Sequence, residues 1–182
     1  SQDSLISPHV YDLGVDVKPG KHRLTICVDN TVKINLGVFV SAMFGGTPGN
    51  MNGIVGRIEL NAIPPVWIDD AQAYPDAASR SATVRVKIGN ATGQAGTGRF
   101  QVSGFRFQDG KRIPATLADV AANWTTEGGS VEAKIEPGTD APLWDEFAPN
   151  LLTLDLTLTP ETRNLEPHAR SACFGMRDFA AK

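Results

Sequence analysis

Three histidines, His9, His22 and His168, come first among residues whose chemistry could matter, since imidazole binds metals and moves protons near neutral pH. None stands in an HExxH or HxH arrangement or beside a cysteine cluster, so the spacing that gathers metal ligands is missing. His168 follows Pro167 in a polar link and is expected to face solvent. Cys27 and Cys173 are the only cysteines. Far apart and in strand-like settings, they are expected as two free thiols, buried or half-buried. The serines lack a G-x-S-x-G elbow, which leaves nucleophilic acyl chemistry without support. Asp69-Asp70 and Asp145-Glu146 are paired acids of the kind used in glycoside hydrolysis. That chemistry needs two carboxyls facing each other about 5–9 Å apart across a sugar-sized cleft, whereas neighbours on a strand point to opposite faces. These four are read as solvated charges near sheet ends. Glycine-rich segments 45–53 and 91–98 lack a matching phosphate-loop lysine and read as loops. The sequons Asn90-Ala91-Thr92 and Asn123-Trp124-Thr125 occur at a frequency chance explains. Trp67, Trp124 and Trp144 could stack on sugar rings, but each sits in an apolar pattern that suits core packing. No catalytic, cofactor-binding or metal-binding set emerges.

The elements that carry these residues are strands. The clearest lies within Ala141–Thr159, where Leu152, Leu154, Leu156 and Leu158 alternate with Thr153, Asp155, Thr157 and Thr159. This period of two places four leucines on one face of a half-buried strand. Ahead of it, Pro142 and Pro149 bracket Leu143, Trp144 and Phe147, an irregular lead-in expected to lie against the core through those large apolar groups. Further strands are expected over 9–13, 22–28, 36–44, 54–60, within 66–76 (ended by Tyr74-Pro75), 82–90, 99–107 (broken near Gly104), 120–125, 130–135 and 171–179. Pro19-Gly20 marks a turn between the first two, and Asp109-Gly110 marks a turn in a loop over 108–117. Segments 120–125 and 130–135 are expected to pair across Glu127-Gly128-Gly129. The paired prolines of Asn61–Pro65 mark a stiff junction, giving an N-terminal domain over 1–63 and a second over 64–182. About seven short strands after Val66 match the count and spacing of an immunoglobulin-like sandwich. No amphipathic helix is evident.

Composition agrees with an all-β reading. Of 182 residues, 18 are glycine and 12 proline, spread along the length. The hydrophobic share of 41% and the charged share of 20% suit a chain that buries a core. A net charge of −3 with interspersed signs excludes the basic stripe of a nucleic-acid binder. No apolar run reaches the roughly 20 residues of a membrane-spanning helix, and SQDSLISPH has neither part of a secretory signal.

Three segments resemble the non-catalytic N-terminal domains of glycoside hydrolase family 2, the family of β-galactosidases, β-glucuronidases and β-mannosidases. PHVYDLGVDVKPGKHRLTICVDN (8–30) is similar to late strands of that family's sugar-binding jelly roll. NGIVGRIELNAIPPVWIDDAQAYPD (52–76) resembles its G-I-x-G-x-I-x-L strand followed by the first strand of the next domain. LWDEFAPNLLTLDLTL (143–158) with FGMRDF (174–179) resembles the L-W…P-x-L-Y-x-L-x-V-x-L and G-F-R signature that closes the family's immunoglobulin-like domain ahead of the catalytic barrel. The resemblance implies an all-β chain: an immunoglobulin-like β-sandwich preceded by the C-terminal part of a jelly-roll, galactose-binding-like domain. It further implies a bacterial periplasmic or secreted location and a scaffolding role beside the parent polypeptide's catalytic TIM barrel. The family's two catalytic glutamates lie on that barrel, so this stretch is expected to be inactive alone, with no cofactor. In the β-galactosidase branch an acidic residue of the loop before G-I-x-G reaches the active site. Here that loop is GGTPGNMN, without a carboxylate, and Asn50 and Asn52 are the side chains it offers to a carbohydrate rim. The partial jelly roll is expected to be completed by the second domain or by a second copy of the chain. The alternative is a free-standing carbohydrate-binding or adhesion module.

Overall fold

The structure, a computed structural model, describes residues 8–14, 17–29, 53–54, 56–162 and 164–178. The chain divides into two compact units, Ser1–Glu59 and Leu60–Lys182. The second is a two-sheet β-sandwich of seven strands: β1 (Val66–Asp76), β2 (Ser81–Asn90), β3 (Gly96–Gln108), β4 (Lys111–Trp124), β5 (Gly129–Ile135), β6 (Leu152–Pro160) and β7 (His168–Phe174). One sheet has the order β1-β2-β5 and the other β4-β3-β6-β7, and every pairing is antiparallel. No helix occurs among the described residues.

Alternation explains the layering. Ala82, Val84, Val86 and Ile88 of β2 and Val131, Ala133 and Ile135 of β5 face inward from one sheet. Phe100 and Val102 of β3 and the four leucines of β6 face them from the other. Arg85, Lys87, Glu132 and Lys134 lie between those apolar positions and stay outside, as a period of two requires. Each leucine of β6 so buried contributes about 1.5–3 kcal/mol of hydrophobic transfer. Trp124 is also in this core, its ring against Gly96 and Gly98, where a methyl group would collide with it.

Several expectations are corrected. The loop foreseen over 108–117 is mostly strand: Asp109 and Gly110 have φ of 51° and 66°, the left-handed pair of a tight hairpin, and β4 begins directly at Lys111. Pro114 is tolerated there because β4 is a sheet edge and its missing N–H faces no partner. β3 runs unbroken through Gly104, and the register shift after Val102 leaves Leu117 of β4 as the extra residue. Segments 120–125 and 130–135 do not pair with each other; after the Thr125–Gly128 bridge the chain crosses over and β5 pairs with β2. The last strand starts earlier than foreseen, at His168, and stops at Phe174.

In the first unit the expected strands over 9–13 and 22–28 are not formed, and the described residues 53–54 and 56–59 are likewise without a ladder, as is Leu60 at the start of the second unit. Leu24, Ile26 and Val28 of the first unit are exposed. Alternation selects a face, but a strand exists only when a partner takes its hydrogen bonds. A bend does occur at Pro19–Gly20, with His22 Nε2 bonded to the Lys18 carbonyl. The strand expected over 36–44 lies outside the described residues.

Candidate functional site

The arrangement most open to a functional reading is one end of the sandwich, where three segments meet: the β1–β2 turn, the corner over 141–150 and the segment 175–178 that leaves β7. Each is fixed by polar contacts that its own sequence supplies. In the turn, the Asp76 carboxylate accepts hydrogen bonds from the Ala78 and Ser79 amides, and the Ser79 side chain first, then these amides, hold it below its ordinary range. Arg80, at φ 53°, donates from Nη1 to the Ala141 carbonyl at 2.7 Å. In the corner, Asp145 Oδ1 accepts from the Phe147 and Ala148 amides at 2.8 and 2.7 Å. Asn150 Nδ2 donates to the Leu143 carbonyl, and Trp144 bridges Pro149. An aspartate and an asparagine thus close a loop that two prolines have already stiffened.

Trp144 ties the corner to the departing segment. Its amide donates to the Met176 carbonyl at 3.0 Å, and its indole covers Gly175, where an added Cβ would fall 2.8 Å from the ring. The Arg177 guanidinium sits 4.7 Å from the ring centroid, a cation–π contact. Met176 between them is fully buried. On the other side, Asp178 Oδ1 accepts from the Ala77 amide of the β1–β2 turn at 3.2 Å. The sequence Gly-Met-Arg-Asp is therefore held at every residue: by close approach, burial, ring stacking and a hydrogen bond. Trp144→Ala should lower the stability of the second unit by about 2 kcal/mol, less than a fully buried tryptophan because this one is half exposed. Urea denaturation measures it.

The corner does not behave as the core anchor foreseen for it. Phe147 is 93% exposed and Leu143 is 40% exposed, leaving Trp144 as the residue that packs. Beside it, Phe105, Phe107, Leu117, Leu151 and Leu154 line a shallow groove, with Arg112 stacked 3.5 Å from the Phe105 ring centroid.

Candidate chemistry elsewhere resolves as structure. The Asp145 carboxylate caps the corner, and Glu146 is exposed. Asp69 accepts from Trp67 Nε1 and Asp70 from Gln72 Nε2, so both carboxylates are engaged by neighbours on their own strand. No cluster of three metal-ligating side chains exists among the described residues. Asn90 of the first sequon is engaged through both amide atoms: Nδ2 donates to the Gln94 and Thr125 carbonyls, and Oδ1 accepts from Thr92. Cys27 and Cys173 are free thiols, but both are exposed rather than buried. Asn50 and Asn52 lie outside the described residues.

Two features went unseen in the sequence reading. Trp67 is not in the core: it alternates with buried Val66 and Ile68, so its half-buried indole lies on the outer sheet face over Gly89, where a Cβ would be 2.2 Å from the ring. The flanking apolar pair was the signal for this. His168 is not in a solvated link either. It is half-buried on β7, its Nδ1 accepting from the Ile68 amide of β1 at 3.1 Å. Burial, and secondarily the Arg170 charge, hold its pKa below the ordinary histidine value.

No protein-family profile and no curated protein sequence matches the chain. Three solved structures to which part of the chain is similar are glycoside hydrolases. A β-glucuronidase from Parabacteroides merdae aligns at 19% identity and a TM-score of 0.37, covering 61% of this chain and 13% of that one. β-Glucuronidase 3 from Bacteroides uniformis aligns at 17% and 0.37, over 62% and 13%. β-Glucosidase 3B from Thermotoga neapolitana, solved with glucose, aligns at 18% and 0.35, over 63% and 16%. The chain thus spans only a small part of the length of each.

Proposed function

We propose that the second unit is a non-catalytic β-sandwich module of a bacterial family 2 glycoside hydrolase, a scaffold that delivers the chain in fixed register toward a catalytic barrel. The observation that carries this reading is the clamp on Gly175–Asp178. The two stretches that resemble the family's closing signature, around Leu143-Trp144 and over FGMRDF, are 30 residues apart in sequence, yet Trp144 packs on Gly175 and bonds Met176. A module that only buried its own core would have no reason to hold every residue of a segment beyond its last strand. Within this reading, the barrel of the parent polypeptide is the partner, and the location is periplasmic or extracytoplasmic.

The purified chain should hydrolyse nitrophenyl β-galactoside, β-glucuronide and β-mannoside no faster than buffer. Turnover at an enzyme-like rate of about 1 s⁻¹ or more would contradict the proposal. The reading frame that encodes the chain is expected to continue into a barrel bearing two facing glutamates.

One observation favours a second reading, a carbohydrate-binding module: the Trp67 indole on the outer face of the first sheet, with Tyr74 further along the same strand. Calorimetric binding of oligosaccharides that is abolished by Trp67→Ala would support it over the scaffold.

A further inference from the structure

The two sheets share no ladder, and along one side of the sandwich their edge strands β1 and β7 run close to each other. Edge strands expose unpaired N–H and C=O groups. Here two of those groups on β1 are taken by side chains of β7. The Ile68 amide donates to His168 Nδ1 at 3.1 Å, and the Asp69 carbonyl accepts from Arg170 Nη1 at 2.6 Å. The register shift of β1 between Ile68 and Asp70 falls at this point. His168 and Arg170 share the face of β7 that further along carries the half-buried Ala172 and buried Phe174, so polar groups replace apolar ones where β1 passes.

A backbone amide can only donate. His168 Nδ1 must therefore carry a lone pair, which makes the ring neutral with its proton on Nε2. Once protonated, Nδ1 becomes a donor aimed at a donor. The half-buried Ile68 N–H then has no acceptor, and a second positive charge stands beside Arg170.

We propose that His168 is a proton-operated latch, whose protonation opens the seam between β1 and β7. The surrounding charges do not offset this. Asp69 is engaged by Trp67 Nε1, Asp70 by Gln72 Nε2 with Lys87 of β2 opposite it, and Asp155 of β6 by the Ser171 hydroxyl. None of these carboxylates bonds the imidazole, and the residue opposite His168 on β6 is Leu158. The direction follows by linkage. The folded chain binds the proton less readily than the unfolded chain, so the latch is closed above the ordinary histidine value of 6.5 and opens as pH falls through the lower folded value.

The test uses the full chain labelled with ¹⁵N. At pH 7.5 the long-range ¹⁵N spectrum should show His168 with its proton on Nε2. The protection of the Ile68 amide from exchange, corrected for the intrinsic pH dependence, should fall about tenfold or more between pH 7.5 and pH 5. Val84 and Val86, in the middle of their sheet, should not follow. In His168→Asn the side-chain oxygen accepts at any pH, and the Ile68 protection should become flat. A proton on Nδ1 at pH 7.5, a pH-independent Ile68 amide in the wild type, or an equal fall in His168→Asn would each overturn the latch.

Discussion

Leu156→Ala should cost the second unit about 3–4 kcal/mol and lower its Tm by about 10–15 °C. Leu156 is fully buried at the middle of β6, opposite Val102 on β3 and Arg170 on β7. It is one of four leucines on a single face, packed against the inward residues of β2 and β5 across the sandwich. A strand held by ladders on both sides cannot slide to close a cavity, because a shift of one residue would turn every leucine outward. The void therefore persists, and the cavity term adds to the lost transfer energy. Thr157→Ala, one residue along on the outer face, is the control and should change stability by no more than about 0.5 kcal/mol. Urea denaturation of both variants checks this. A loss below about 1 kcal/mol for Leu156→Ala would mean that β6 is not the centre of the core.

Gly138→Ala is expected to cost about 3 kcal/mol or more, although it adds a single methyl group to a loop. Gly138 sits at φ 110°, outside the range that L side chains readily adopt, and an added Cβ would lie 2.1 Å from the Phe107 carbonyl oxygen. That carbonyl cannot retreat. Phe107 pairs with Arg112 in the hairpin, and its amide donates to the Pro137 carbonyl at 2.6 Å. Backbone is pressed against backbone, and relief would have to break one of these bonds. Gly110→Ala separates conformation from contact: its φ of 66° is also left-handed, but nothing lies within 4 Å of the new Cβ. It should cost only about 1–2 kcal/mol. Equal losses for the two variants, read by thermal denaturation, would refute the close approach at Gly138.

What could be read in advance was whatever alternation alone decides. The leucines of β6, the valines of β2 and the apolar positions of β5 each announced a strand with one buried face, and those strands formed. The first half of β4 was hidden because Lys111–Leu117 has no alternation and contains Pro114, both harmless at a sheet edge, while its second half was expected as the strand over 120–125. The partner of β5 was misread because nearness in sequence suggested a hairpin, whereas the buried faces of two sheets required a crossing. HRLTICV in the first unit alternates as well as any strand, yet no ladder forms there, since periodicity carries no information about a partner. In the site, Trp144 stood out by residue type and the FGMRDF stretch only by its family resemblance. Their contact could not be seen, because it joins residues some 30 positions apart through a ring lying on a glycine. His168 was concealed for a similar reason: the link around it is polar, and its partner is a main-chain amide 100 residues away.

The clamp on the departing segment is tested most directly by hydrogen exchange in Trp144→Ala. In the wild type the residue 144 amide, which donates to the Met176 carbonyl, and the Ala77 amide, which donates to Asp178 Oδ1, should be protected well above loop values. In the variant these amides should exchange about tenfold or more faster, beyond any change seen in Val84 and Val86 at the centre of their sheet. Protection of the residue 144 and Ala77 amides that is unchanged in the variant, or that falls only in step with the whole sandwich, would contradict the clamp and remove the main support for a scaffold that delivers the chain in fixed register.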